Sequence, residues 1–217
     1  MNYSAVIFDM DGVLIDSEPL HQKVGLKMLR DLNIPINKEM FLRFTGTTVL
    51  SMWEILVKEH NLTQNPVKLT SEYNQQIIEN LKVSSDVKLM DGILDVLKNL
   101  KDKKIPVALA SSSSKGLIDE MLHKFNIEEY FNEIVSGSDV KHSKPHPEIF
   151  LMAAKKLNIS PSKCIVVEDS TNGTIAAKHA GMFCVGYKPS ANSHELNDAS
   201  VIIKSFGEFD FSILKVN

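Results

Sequence analysis

The sequence predicts an α/β fold: a doubly wound parallel sheet with a small α-helical domain inserted after its first strand. Three observations predict it. Short apolar runs alternate with helical stretches of about 10–15 residues, the pattern of βαβ units. The alternation is interrupted once, between 17 and 85, where the periodicity is helical and no convincing strand occurs. Each polar cluster that could carry chemistry stands at the C-terminal end of an apolar run, where doubly wound sheets bind their ligands.

Residues 5–8 read as a buried strand, stopped by Asp9-Met10-Asp11-Gly12. From Ser17 the pattern turns helical. Ser17 or Asp16 is a candidate N-cap, with Glu18 and Pro19 in the first turn where both are favoured. Leu20, Val24, Met28, Leu29 and Leu32 form the apolar stripe, and Asn33-Ile34-Pro35 ends it. A short helix is expected over 38–44, then a turn at Thr45-Gly46-Thr47-Thr48. Over 49–60, Met52, Trp53, Leu56 and Val57 share one face. Asn65-Pro66 opens a helix running to about Lys82.

From Leu89 the α/β rhythm resumes. Asp91-Gly92 precedes a helix whose stripe is Ile93, Leu94, Leu97 and Leu100. A strand over 106–110 ends in Ser111-Ser112-Ser113-Ser114 and feeds a helix over 115–125. A strand over 133–136, a helix over 147–157 and a strand over 164–167 follow, the last ending at Glu168-Asp169. A helix over 174–180 stops at Gly181, and strands over 183–186 and 201–203 complete the chain. Two domains are expected: a core of 1–16 and 86–217, and a helical cap of 17–85, with hinges near 13–18 and 83–90.

Composition narrows the function classes. The 217 residues are 43% apolar and 24% charged, ordinary for a soluble globular chain. A formal charge of −3 gives no reason to expect nucleic acid or an anionic membrane as partner. Cys164 and Cys184 lie in apolar runs and read as reduced core residues, and no signal peptide is legible. No apolar run approaches the roughly 18 residues of a membrane span. The expectation is a cytoplasmic monomer acting on a small molecule.

Along an extended chain Asp9 and Asp11 face one side, and two close carboxylates suit a hard divalent cation such as Mg²⁺. The alternative is an acidic turn whose carboxylates cap backbone N–H groups. Ser111, between a strand and a helix N-terminus, is a candidate anion ligand or ordinary turn material. Pro145 holds Lys144 extended, either to bind phosphate and screen carboxylates or as a solvated loop lysine. Glu168 and Asp169 end a fully apolar strand, where charge is costly unless paired with a cation. Both reach one metal only if the chain turns there, and Asp169 is then the direct ligand, with Glu168 a second ligand or its support. Of the seven histidines only His21, one turn into the inserted segment, stands near the acidic loop; His123 and His179 read as exposed, and His142 and His146 as loop residues flanking Lys144.

Taken in order, Asp9-x-Asp11-Gly12-Val13, the strand ending in Ser111, Lys144-Pro145 and Glu168-Asp169 resemble the four motifs of the haloacid dehalogenase superfamily. The resemblance spans the chain. Residues 8–18 are similar to the subgroup with a helical cap after the first motif, which contains β-phosphoglucomutases and sugar-phosphate phosphatases. The resemblance implies a Rossmann-like core, with Asp9 as nucleophile forming an aspartyl-phosphate and Asp11 as acid and base. It implies Ser111 and Lys144 on the transferring phosphoryl, and Mg²⁺ held by Asp9, the backbone carbonyl of Asp11, Asp169 and, assisting, Glu168. Thr45, Gly46, Thr47, His21, Ser112 and Asn172 are expected substrate contacts. The family's mutases place an arginine three residues after the cap-loop glycine. Here Gly46 is followed by Thr47, Thr48 and Val49, although Arg43 stands just before the loop. The expected function is therefore a Mg²⁺-dependent phosphatase of small phosphorylated metabolites such as sugar phosphates. A β-phosphoglucomutase is the alternative. Asp11 and Asp169 argue against a dehalogenase, and an acceptor on the first strand argues against a non-enzymatic signalling receiver.

Overall fold

The computed structural model describes residues 3–35, 43–44, 46–190 and 194–214, with Ile213 described by its backbone alone. Six parallel strands form one sheet. They are β1 (Ala5–Phe8), β4 (Val107–Ser111), β5 (Glu133–Ser136), β6 (Cys164–Glu168), β7 (Phe183–Tyr187) and β8 (Val201–Ile203), in the order β5-β4-β1-β6-β7-β8. The chain winds from β1 first to one side and then to the other, so β1 stands at the switch point of the topology.

Alternation along the strands makes two cores. Ala5, Ile7, Ala108, Ala110, Cys164 and Val166 pack beneath α6 (Glu148–Lys156) and α7 (Thr171–His179). Val6, Phe8, Val107, Leu109, Ile165 and Val167 face the opposite layer, built from α4 (Ile93–Asp102) and α5 (Lys115–Phe125). Strands buried on both faces have to be apolar throughout, and β1 and β4 are buried at every residue. In register, Phe8 lies between Leu109 and Val167. The residues after Phe8, Ala110 and Val167 therefore emerge together at one edge of the sheet.

Between the first two strand regions runs the helical segment: α1 (Glu18–Asp31), α2 (Val49–Glu59) and α3 (Pro66–Val83). Its buried stripes are Leu20, Val24, Met28 and Leu29 on α1, Trp53 and Leu56 on α2, and Leu69, Tyr73, Ile77 and Leu81 on α3. The expected helix over 38–44 lies outside the described residues except for Arg43 and Phe44, which are helical. A ribbon absent from the sequence reading joins the segment to the sheet. β2 (Ile15–Asp16) pairs antiparallel with β3 (Lys88–Leu89). Two-residue strands carry no periodicity, so only tertiary pairing reveals them. Lys124 on α5 adds a second tie, donating to the carbonyls of Leu81 and Ser84 at the end of α3.

Three smaller boundaries also differ. Val96, not Leu94, completes the buried stripe of α4. α7 begins at Thr171, three residues early, because the Ser170 hydroxyl caps it by accepting from the Gly173 N–H. β4 runs one residue further, to include Ser111.

Candidate active site

The site lies beyond the carboxyl end of β1. Asp9 N–H still bonds the Val167 carbonyl, and the chain then turns sharply. The Met10 carbonyl accepts the N–H groups of Val13, Leu14 and Ile15, and Gly12 adopts a φ of +79°. Asp9 and Asp11 are thus brought to one cavity by a tight turn, not by an extended run as the sequence suggested. A side chain at Gly12 is excluded twice over: the φ is left-handed, and a Cβ would sit 2.0 Å from Asp169 Oδ2.

Lys144 is the hub of the buried charge. It is 1% exposed, so it is no solvated loop lysine. Its Nζ donates to Asp9 Oδ1 at 2.6 Å and to Glu168 Oε1 at 2.7 Å. The Lys144–Pro145 peptide is cis. Burial disfavours the ammonium, but the two carboxylates outweigh it and hold its pKa above the ordinary lysine value. Glu168 spends its other oxygen on Ser170, accepting from the backbone N–H at 2.8 Å and the hydroxyl at 2.9 Å. Gly173 packs so closely on this carboxylate that a Cβ would lie 1.9 Å from Glu168 Cδ.

One lysine does not balance the carboxylates here. Burial pushes Asp9 up to about 7, with Lys144 opposing and Glu168 and Asp11 adding to the rise. Asp169 is pushed up by burial and by the charges of Glu168 and Asp9. Asp9, Glu168 and Asp169 each bring a carboxylate oxygen within 4.8 Å of the others. An all-oxygen, acid-rich and cation-poor donor set fits a hard divalent cation such as Mg²⁺.

Asp11 is held differently. Its Oδ1 accepts the Ser17 hydroxyl, its Oδ2 accepts the Ser113 hydroxyl at 2.9 Å, and His21 Nε2 stands 3.4 Å from Oδ1. Burial would raise its pKa, but His21, Ser17 and Ser113 together hold it below the ordinary value. Ser17 is the N-cap residue of α1, yet its side chain makes no capping bond, because the hydroxyl serves Asp11 instead. His21 Nδ1 lies 2.9 Å from the Tyr73 hydroxyl, so α1 and α3 meet over the acidic turn.

A cavity of about 400 Å³ opens over these groups. Asp9, Asp11, Asp169, His21, Gly46, Thr47 and Ser112 line it. Ser111 does not: it is fully buried, and its hydroxyl accepts the Ser113 N–H. That turn aims Ser112 and Ser113 at the cavity instead, and a run of four serines gives no sequence signal of which one faces inward. Asn172 lies beside Gly46 and outside the lining. Thr45 lies outside the described residues. Arg43 is bound by both guanidinium nitrogens to Glu59, at 2.6 and 3.0 Å. His142 and His146 are exposed, with their rings in tilted contact at 4.8 Å, and neither lines the cavity.

Sequence reasoning missed Ser17, Ser113, Tyr73, Tyr187 and His194, all of which line the cavity. The helical segment closes onto the sheet edge. Ser112 Oγ donates to the Gly46 carbonyl at 2.9 Å, and Ser51 Oγ lies 3.2 Å from Ser143 Oγ.

Comparison with known proteins gives consistent results. The family profile described as haloacid dehalogenase-like hydrolase matches residues 6–187. A phosphorylated carbohydrates phosphatase of Thermotoga maritima is 32% identical over 204 residues, covering 93% of this chain and 90% of its own length. Hexitol phosphatase B of Escherichia coli is 32% identical over 184 residues, 82% of this chain and 80% of its own. The solved structure of a β-phosphoglucomutase from Clostridium difficile superposes with a TM-score of 0.86 at 29% identity, covering 97% of this chain and 94% of that one.

Proposed function

Because the chain belongs to the haloacid dehalogenase-like hydrolases, we propose that it is a Mg²⁺-dependent phosphatase of small phosphorylated metabolites, sugar phosphates in particular, working through an aspartyl-phosphate on Asp9. The observation that carries this reading is the convergence of Asp9, Asp11, Lys144 and Asp169 at one strand edge beside the cavity. The names of the two phosphatase relatives support the substrate class. We read residues 1–16 and 86–217 as the core, and 17–85 as a cap that closes over the ester. Two free, buried cysteines fit a cytoplasmic location.

Asp9 attacks phosphorus as the bond to the leaving oxygen breaks. Asp11 gives that oxygen a proton, later takes one from the attacking water, and phosphate departs with Asp9 restored. Asp11 rests as a carboxylate in the structure, so the acid form arises as the anionic ester arrives and raises its proton affinity. Ser17 and Ser113 fix its direction. Lys144 screens Asp9 and stabilises the transferring charge. Ser112, in the turn that Ser111 organises, would turn its hydroxyl from the Gly46 carbonyl to a phosphoryl oxygen. Mg²⁺, held by Asp9, Asp169 and the Asp11 carbonyl, would supply charge neutralisation of the phosphoryl. Glu168 keeps Lys144 and Ser170 in place beside it.

The similarity to a β-phosphoglucomutase leaves a mutase as the competing activity. β-Glucose 1-phosphate, supplied with glucose 1,6-bisphosphate and Mg²⁺, distinguishes them. The phosphatase reading expects release of inorganic phosphate from sugar phosphates, lost in chelator. Conversion to glucose 6-phosphate without phosphate release would overturn it.

A further inference from the structure

Away from the acidic turn the cavity changes character. Its far wall is Leu29, Phe44, Val49, Met52, Trp53 and Leu56, and its carboxylates beyond the turn are Asp16 and Glu18. Among the described lining residues there is no lysine or arginine. Among the described residues four cations adjoin the lining in sequence: Lys23 and Arg30 are exposed, Arg43 pairs with Glu59, and Lys188 pairs with Glu195 at 3.7 Å. The lining histidines are His21, whose Nδ1 meets the Tyr73 hydroxyl and whose Nε2 stands 3.4 Å from Asp11 Oδ1 without a hydrogen bond, and His194, whose burial favours its neutral form.

A second phosphate or a carboxylate on the leaving group would be stripped of water against this apolar wall, with no lysine or arginine among the described lining residues to meet it. Burial of an unpaired charge costs several kcal/mol. An uncharged leaving group meets no such penalty, and the C–H faces of a sugar or polyol suit an aromatic and aliphatic wall.

We propose that the wall of Leu29, Phe44, Val49, Met52, Trp53 and Leu56 selects substrates by charge: the enzyme takes phosphate monoesters whose leaving group is uncharged, and rejects bisphosphates and phosphorylated carboxylic acids. This rests on the phosphatase reading and narrows it.

The test is kcat/KM with Mg²⁺ for p-nitrophenyl phosphate, sorbitol 6-phosphate, fructose 1-phosphate, fructose 1,6-bisphosphate and phosphoglycolate. The best uncharged-leaving-group sugar or polyol ester should exceed both doubly anionic substrates by about a hundredfold or more, the loss expected from an unpaired buried charge. Met52→Arg, which places a cation on the wall, should narrow that ratio at least about tenfold. Glu18→Lys, at an exposed position of the same cavity, should narrow it too if the Met52 variant does not fold. Turnover of fructose 1,6-bisphosphate or phosphoglycolate within about tenfold of the best neutral ester would overturn the charge selection while leaving the phosphatase reading intact. No turnover of any ester, p-nitrophenyl phosphate included, would overturn the phosphatase reading and this inference with it.

Discussion

Asp9 and Asp11 are two residues apart and sit in opposite electrostatic environments. Asp9 faces other carboxylates with one lysine to offset them, whereas Asp11 is surrounded by donors. The consequence is a pH-dependent metal site. The folded, metal-free chain keeps a proton on Asp9 up to about 7, and the ordinary value that an unfolded chain keeps is 3.8. Across that window the folded state binds more protons, so this group's contribution to metal-free stability falls as pH rises. Mg²⁺ needs Asp9 and Asp169 deprotonated, so its affinity should rise by at least about tenfold per pH unit below about 7. Isothermal titration at about pH 5.5, 6.5 and 7.5 measures this. A Kd independent of pH would mean that Asp9 is not a ligand. The pair of aspartates was legible in the sequence. Their division was not, because it is set by Ser17, Ser113 and His21 on one side and by Glu168 on the other, residues 6 to 159 positions away from the aspartate they act on.

At the scale of elements, the helices and the central strands followed from periodicity and capping residues, since local signals determine them. What failed were features made by contact between distant segments: the β2–β3 ribbon, the tie from Lys124 to α3, and which of the serines after β4 faces inward. α2 shows how a local signal and a distant contact combine. The Thr48 hydroxyl accepts the Ser51 N–H and donates to the Ser51 hydroxyl, which reaches Ser143 across the cavity mouth. Thr48→Ala should lower stability by about 1 kcal/mol, the usual worth of a threonine cap. That corresponds to a fall in Tm of roughly 2–4 °C for a chain of this size. Scanning calorimetry checks it, and an unchanged Tm would show that the cap contributes nothing.

For the whole molecule, the doubly wound topology gathers the four motifs, and the helical segment lines the cavity beside them. The strand order brings the ends of β1, β4 and β6 to one edge, so four motifs spread from Asp9 to Asp169 become neighbours. Among the described residues no helix is long and apolar enough to cross a membrane. The order of the four motifs carried the family reading, and the profile and structural comparisons agree with it. The cavity's charge pattern could not be read from the chain, because it depends on Arg43 turning to Glu59 and on the segment closing over the edge. The central claim is that phosphate passes through Asp9. The most direct measurement is rapid acid quench of the enzyme with a ³²P-labelled sugar phosphate and Mg²⁺, followed by peptide mapping. A hydroxylamine-labile label is expected on the peptide containing Asp9, with both label and turnover lost in Asp9→Asn. An Asp9→Asn enzyme that keeps wild-type turnover, or a label that maps to another residue, would contradict it.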